Sequence, residues 1–336
     1  MKFKIYLVLL FSFYTLKNNA QDPIFSQYSL IPETLNPGFT GFQYNWRAGL
    51  IHRRQWPDGN RAIDTDFGFL NKMIGEKAGF GMTLLNHKEN FTNYNYLQIN
   101  LAYSYKVELN YKWSFRPAIE VGFGRKNYNF GNLLLEDQIN SDTGIINPTS
   151  IDSGISDQKR FINFIDISAG FIIDDENGWF GISLKHLNRP NISFVNNVNI
   201  PLDLFLTVHS GYAINLNNIP SSIFPENTKF LLSANYMRQS QFNRLDIGTA
   251  IKLNSLIVGT TAVFNPEGKS KNSHLITSIN PYISAHFGDF TFGYSYDVST
   301  SKIGHTQGIH ELSLTWQLRF CETCIAKVNN YYDYNK

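Results

Sequence analysis

Three places in the sequence bring together side chains with catalytic or metal-binding chemistry. His310 and Glu311 are adjacent, Cys321 and Cys324 are two residues apart, and His186 stands in the block Lys185-His186-Leu187. An acid–base pair must face one substrate. Neighbours on a strand face opposite ways, so His310 and Glu311 cannot form such a pair by themselves. Cys321-Glu322-Thr323-Cys324 has the spacing of a redox pair, but a redox thiol needs a setting such as a helix N-terminus, and no helix is suggested there. Two ligands also fall short of a zinc site, so a local Cys321–Cys324 disulfide in an oxidising compartment is the preferred reading. His186 reads more readily as a hydrogen-bonded histidine at a strand end than as a functional lumen residue. Asp142, Asp152 and Asp157 do not have the spacing of a calcium loop. No nucleophile elbow, zinc-protease helix or phosphate-binding loop occurs, so neither catalysis nor a cofactor is expected.

The elements that must position these residues are strands. Phe115, Pro117, Ile119, Val121 and Phe123 alternate with Arg116, Ala118, Glu120 and Gly122. Leu312, Leu314, Trp316, Leu318 and Phe320 alternate with Glu311, Ser313, Thr315, Gln317 and Arg319. Period two over nine or more residues predicts strands with one apolar and one polar face. About fourteen such runs lie between residues 45 and 320, many near the ~9–11 residues that cross a bilayer at a tilt. Expected spans include 178–187, 203–214, 273–287 and 308–320. Connections alternate between short turns and longer loops, as in outer-membrane barrels, with exceptions near Ser240 and over Asn215–Asn227. The polar faces carry Arg116, Glu120, Asp246, Lys252 and Glu311, which suit a hydrated or ion-paired lumen better than a sandwich core. Asp297 and Glu311 are expected to pair with Arg or Lys from adjacent strands. The aromatic residues are expected on the lipid side.

Composition sets the bounds. The 336 residues are 43% hydrophobic and 15% aromatic, and their mean hydropathy is only −0.23. That combination excludes a helical membrane bundle and excludes disorder over most of the chain. Lys2 and Lys4 precede the apolar run Ile5–Leu16 and a small residue, Ala20, which is the layout of a signal peptide over 1–20. That stretch holds three lysines and no acid, so its removal takes the formal charge from +2 to −1. No electrostatic case for nucleic acid remains. The segment 21–44 is polar and punctuated by Pro and Gly, hence irregular. It is expected either to plug the lumen or to lie in the periplasm beneath the barrel. The tail 321–336 follows the last strand, and both termini are expected in the periplasm.

Particular blocks are more specific than the period. Gln21-Asp22-Pro23-Ile24-Phe25-Ser26-Gln27-Tyr28, Leu35-Asn36-Pro37-Gly38-Phe39-Thr40-Gly41, Arg53-Arg54-Gln55-Trp56-Pro57, Gly181 to Asn191, Gly293 to Asp297 and His310 to Leu314 occur in that order. Together they resemble the PorP/SprF family, outer-membrane components of the type IX secretion and gliding machinery of Bacteroidetes. Gly38 stands where Ala is commoner, and Arg189 where another polar residue is usual. The resemblance implies an all-β, antiparallel transmembrane barrel that binds the C-terminal sorting domain of a large secreted adhesin and helps to export or anchor it. It implies partners in the translocon or the periplasmic ring and motor, besides outer-membrane lipid. From the matched blocks, Asp22, Pro23, Phe25, Gln27, Tyr28, Asn36, Pro37, Lys185 and His186 are the candidate partner-binding residues. The rival expectation is a passive channel for small or hydrophobic solutes. An occupied lumen favours the adaptor and a continuous aqueous path favours the channel.

Overall fold

A computed structural model describes residues 21–42, 46–57, 61–128, 138–139, 143, 145–147, 159–216, 225, 227–267, 275–300, 308–318 and 331. Its strands run in chain order around one closed antiparallel sheet. They are β1 (Trp46–Gln55), β2 (Ile63–Ile74), β3 (Ala78–Glu89), β4 (Tyr94–Tyr105), β5 (Val107–Glu108), β6 (Ser114–Asn127), β7 (Phe161–Asp174) and β8 (Gly178–Lys185). The second half holds β9 (Phe205–Asn215), β10 (Lys229–Gln239), β11 (Phe242–Leu253), β12 (Leu256–Phe264), β13 (Ile276–Phe287), β14 (Phe290–Ser299) and β15 (Ile309–Leu318). The two-residue β5 continues β4 past Lys106, so the barrel has 14 crossing strands. Closure comes from β1 pairing β15, from Trp46 opposite Leu318 to Gln55 opposite Ile309. A closed sheet leaves no unpaired edge along the oily span, which a bilayer demands.

Alternation separates the faces as the sequence pattern requires. On β6, Ile119, Val121 and Phe123 are exposed on the outside, whereas Arg116 and Glu120 are buried within the barrel. On β15, Leu312 and Leu314 face outward and Glu311, Ser313 and Thr315 inward. The aromatic residues divide differently from the expectation. Phe80, Tyr103, Phe123 and Phe292 do lie outside, but Phe25, Tyr28, Phe39, Tyr96, Phe164 and Trp179 are buried within the barrel. Bulky rings fill lumen space that polar side chains alone would leave empty.

Short connections at 75–77, 175–177, 254–255 and 288–289 share one rim with the start of β1 and the end of β15. The opposite rim carries the long connections 128–160, 186–204, 265–275 and 300–308. The exceptions anticipated at 240–241 and at 216–228 are present. One strand ends earlier than its pattern suggests. β8 stops at Lys185 because His186 takes φ +62°, which no strand residue can hold. Phe320, residues 1–20 and the Cys321–Cys324 pair lie outside the described residues, as does most of the loop 130–160.

Candidate functional site: the segment inside the barrel

Residues 21–42 pass through the lumen from rim to rim. The segment can neither form a strand nor a helix, because Pro23, Pro32 and Pro37 lack N–H donors and Gly38 and Gly41 break regularity. It instead makes two 3₁₀ turns, Pro32–Thr34 and Pro37–Phe39, each opened by a proline whose missing donor is not needed there. Asn36 caps the second turn, its side chain accepting from the Gly38 N–H at 2.8 Å. Gly41 has φ +64° and lies so close to Gly79 that neither position has room for a methyl group.

The first anchor is acidic. Glu311 is wholly buried and accepts from the Ser26 N–H at 2.9 and 3.0 Å and from the Gln27 N–H at 3.0 Å. Arg53, its register partner on β1, pairs with the same carboxylate and lies 3.3 Å from Asp297. The Ser26 hydroxyl donates to Asp297 at 2.7 Å. The Gln27 amide bridges β14 and β15, donating to Ser295 and to the Glu311 carbonyl. Arg53 is thus shared by two buried carboxylates, and pairing of this kind is the condition for holding charges there.

Further along, Glu33 pairs with Arg47 and accepts from Asn71, and Arg47 also donates to the Leu30 carbonyl at 2.6 Å. Asn36 donates to the carbonyls of Phe171 and Ile182, both at 3.0 Å. Lys185 donates to the Thr34 carbonyl at 3.1 Å and Ser183 to the Leu35 carbonyl at 2.7 Å. Apolar contacts flank the polar ones. Phe25, Leu30 and Ile31 pack on Ile51, Phe67 and Phe69, while Phe39 and Phe42 pack with Ile172 and Trp179.

The start of the segment stands at the rim of long connections, opposite the start of β1. There the Asp22 N–H donates to Gln239 at 2.8 Å, and its carboxylate meets His186 Nε2 at 2.8 Å. His186 Nδ1 meets Asp166 at 2.9 Å. A polar cavity of about 430 Å³ opens beside them, lined by Gln21, Asp22, Pro23, Arg53, His87 and Arg244 among others. Residue 21 is therefore at the rim opposite Leu318. The segment 21–42 thus crosses the lumen once before β1 begins.

Burial opposes charge on His186, but Asp22 and Asp166 reverse that and raise its pKa to about 9. Burial likewise works against the Asp22 carboxylate, yet His186, with Lys185 and Lys126 nearby, holds it well below the usual carboxylate range. The contribution of His186 is thus complete below the free imidazole value of about 6.5 and is lost as pH rises through about 9. That of Asp22 is present above about 3.9 and lost only in strong acid. A cysteine at Pro23, labelled by a maleimide in purified protein, is expected to gain protection steadily as pH falls from 10 to 6.5, after correction for thiolate fraction. In the His186→Gln background the corrected rate is expected to be flat. An equally steep wild-type and variant profile would remove His186 as the anchor.

All nine candidate residues thus lie in one contact between the segment and the wall. Asp22 and His186 meet directly, and Pro23 is beside them. Phe25 packs on Phe67 with ring centroids 5.9 Å apart, Gln27 lies on Glu311, and Tyr28 is buried. Asn36 and Pro37 make the second turn, and Lys185 holds the first. Arg53 with Asp297 and Glu311 fulfils the expected lumen ion pairing. Arg47, Glu33 and Asp166 were not singled out. The shared inward parity of Arg47, Ile51 and Arg53 on β1 was the available signal for the first of them.

A 14-stranded antiparallel barrel with a polar, side-chain-filled interior defines an integral outer-membrane protein. Residues 17–316 match the family model for the type IX secretion system membrane protein PorP/SprF, and the chain belongs to that family. No curated protein matches the sequence. Among solved structures, the deltaS2S3 mutant of the TodX monoaromatic hydrocarbon channel is similar at TM-score 0.50 and 11% identity, covering 85% of this chain and 93% of its own. The P. putida toluene transporter TodX aligns at TM-score 0.47 and 10% identity, with the same coverage of 85% and 93%. A Pseudomonas aeruginosa FadL homologue aligns at 0.44 and 10%, covering 84% and 93%. At such identity the likeness speaks to the barrel fold alone.

Proposed function

We propose that this barrel is a plugged adaptor of type IX secretion, which binds a large secreted adhesin through its C-terminal sorting domain and helps to export or anchor it. Residues 21–42 act as the plug. The long-loop rim, with the 21–24 end of the plug, faces the cell exterior, and the short turns and the C-terminus face the periplasm, where translocon or ring and motor components dock. One observation supports the reading: the chain's own N-terminal segment runs inside the barrel, held by buried ion pairs and backbone hydrogen bonds. A solute channel of this size would need a continuous wet path, and residues 21–24 stand in the wall of the polar cavity at the mouth. Affinity, on this reading, comes from the loops and the mouth, and no cofactor takes part.

The test is purification of the tagged protein from native membranes, with mass spectrometry of what stays bound and conductance of the same preparation in planar bilayers. A co-purifying surface adhesin or secretion subunit and a closed pore are the expected results. Clean monomer with steady ohmic conductance would establish the channel instead.

A further inference from the structure

Inside the barrel the wall changes character near the short-turn rim. Over the middle of the lumen the inward rows of β9–β13 are polar, with His209, Asn235, Asp246, Thr261 and Asn280 buried there. Nearer the short turns, Ala213, Leu231, Ala250 and Tyr282 stand in those rows instead, joined in register through Gly259. Ile257 is the next inward residue of β12 towards the rim. Together they form an apolar shelf across five strands, and all but Gly259 are buried. Alanine, leucine and isoleucine that face a polar lumen stay dry only under another apolar group.

Two parts of the chain supply that cover. Among the described residues of the lumen segment, Phe39 and Phe42 join the cluster that contains the shelf. The other ring in it is Tyr331, which belongs to the tail beyond β15 and is only 3% exposed. β15 ends at the short-turn rim, so the chain turns back into that mouth to bury this residue. Trp179 of β8 stands where the two contributions meet. Phe39 meets the indole edge-on with ring centroids 5.1 Å apart, and Tyr331 meets it edge-on at 6.1 Å. Gly211, the register partner of Trp179 on β9, lies so close to the indole that a methyl group has no room there. Trp179 therefore touches wall, lumen segment and tail at once.

We propose that the C-terminal tail is a latch on the lumen segment: Tyr331 covers the apolar shelf from the short-turn mouth and holds Trp179 against Phe39. The lower end of 21–42 then stays firmly seated only while the tail is in. Apolar cover and edge-on ring contacts do the holding, so the ring of Tyr331 matters and its hydroxyl does not. The inference is independent of the adaptor reading, because it concerns how the two ends of one chain meet. It adds a link between the rims. The segment that is latched at Trp179 starts at the opposite mouth, where Asp22 meets His186. Withdrawal of Tyr331 at one rim therefore loosens a segment that reaches the other.

Cysteine reporters test this in the purified full-length protein, in a background carrying Cys321→Ser and Cys324→Ser. Ala250→Cys reports on the shelf, Thr40→Cys on the lower end of the segment and Ile24→Cys on its far end. Tyr331→Ala is expected to raise maleimide labelling of the first two at least about fivefold, as a local opening does. Ile24→Cys is expected to keep its rate, because Glu311 and His186 hold that end. Tyr331→Phe is expected to label like wild type, and Tyr331→Leu to fall between. A photo-reactive phenylalanine at 331 is expected to crosslink within the chain, to peptides that carry Trp179 or Ala250. If Tyr331→Ala does not fold, Tyr331→Leu and the crosslinks decide. Unchanged labelling of both lower reporters in a folded Tyr331→Ala barrel, or crosslinks confined to lipid or to other molecules, overturns the latch. A rise at Ala250→Cys alone also overturns it, since Tyr331 would then cover the shelf without holding the segment. The adaptor reading is untouched by any of these results, because it is tested by what co-purifies.

Discussion

Glu311→Ala is expected to free the N-terminal half of the lumen segment and make the barrel conduct. The carboxylate accepts two backbone N–H groups, from Ser26 and Gln27, and pairs with buried Arg53. Truncation strands both backbone donors at once and leaves Arg53 with Asp297 as its one remaining carboxylate partner. Breaking one side of a buried ion pair costs about 3–5 kcal/mol where the partner's charge is left without compensation, and Asp297 offsets part of that for Arg53. Each orphaned N–H adds a penalty of about 1–3 kcal/mol if water does not reach it. Water is the available remedy, and it enters only if residues 22–30 leave the wall. The rest of the segment has separate anchors at Glu33, Asn36 and Thr40, so its lower half is expected to stay. The measurements are single-channel conductance and maleimide labelling of an Ile24→Cys variant in proteoliposomes. Labelling should rise at least tenfold in Glu311→Ala. Glu311→Gln keeps an acceptor oxygen but no charge for Arg53, and should fall between the two. A silent, unlabelled Glu311→Ala barrel would mean that apolar packing around Phe25 and Ile31 holds the segment by itself.

That anchor also shows where sequence reading stops. The inward direction of Glu311 follows from period two, and its pairing with a basic residue follows from burial. Its other partners do not follow, because they are backbone N–H groups 285 and 284 residues away, and an N–H carries no residue-type signal. The strands were legible to within a few residues because each has an oily and a wet face. Their ends were less so: His186 looks like any strand residue until its positive φ stops β8 two residues before the expected 187. The irregular character of 21–42 was legible from its prolines and glycines, but its direction of travel was not. No local feature says at which rim Asp22 lies; that depends on His186, 164 residues further on. The division of aromatic residues failed for a related reason. Tyr96, Phe164 and Trp179 stand in the inward rows of their strands, and Phe25, Tyr28, Phe39 and Phe42 belong to no strand and enter the lumen with the segment.

The outward face makes the second large prediction. β15 joins β14 to β1 and so closes the ring, with Leu314 opposite Phe292 on one side and Leu50 on the other. All three are exposed on the outer surface, and Leu314 sits near the middle of the strand. An arginine there meets hydrocarbon, at a cost of about 2–4 kcal/mol at the midplane that falls to ~0–1 kcal/mol near the interface. Total stabilities of folded domains are only ~5–15 kcal/mol, so the closing strand loses a large share of its margin. Leu314→Arg is therefore expected to lower the folded, heat-modifiable fraction in membranes at least fivefold. Leu318→Arg, at the rim end of the same outward row, should stay close to wild type because the side chain can reach the headgroups. The contrast between the two positions matters more than either loss, since a soluble sandwich surface would tolerate arginine equally at both. Equal yields would mean that this face meets water, and the oily row through Leu312, Leu314 and Trp316 would then need another explanation.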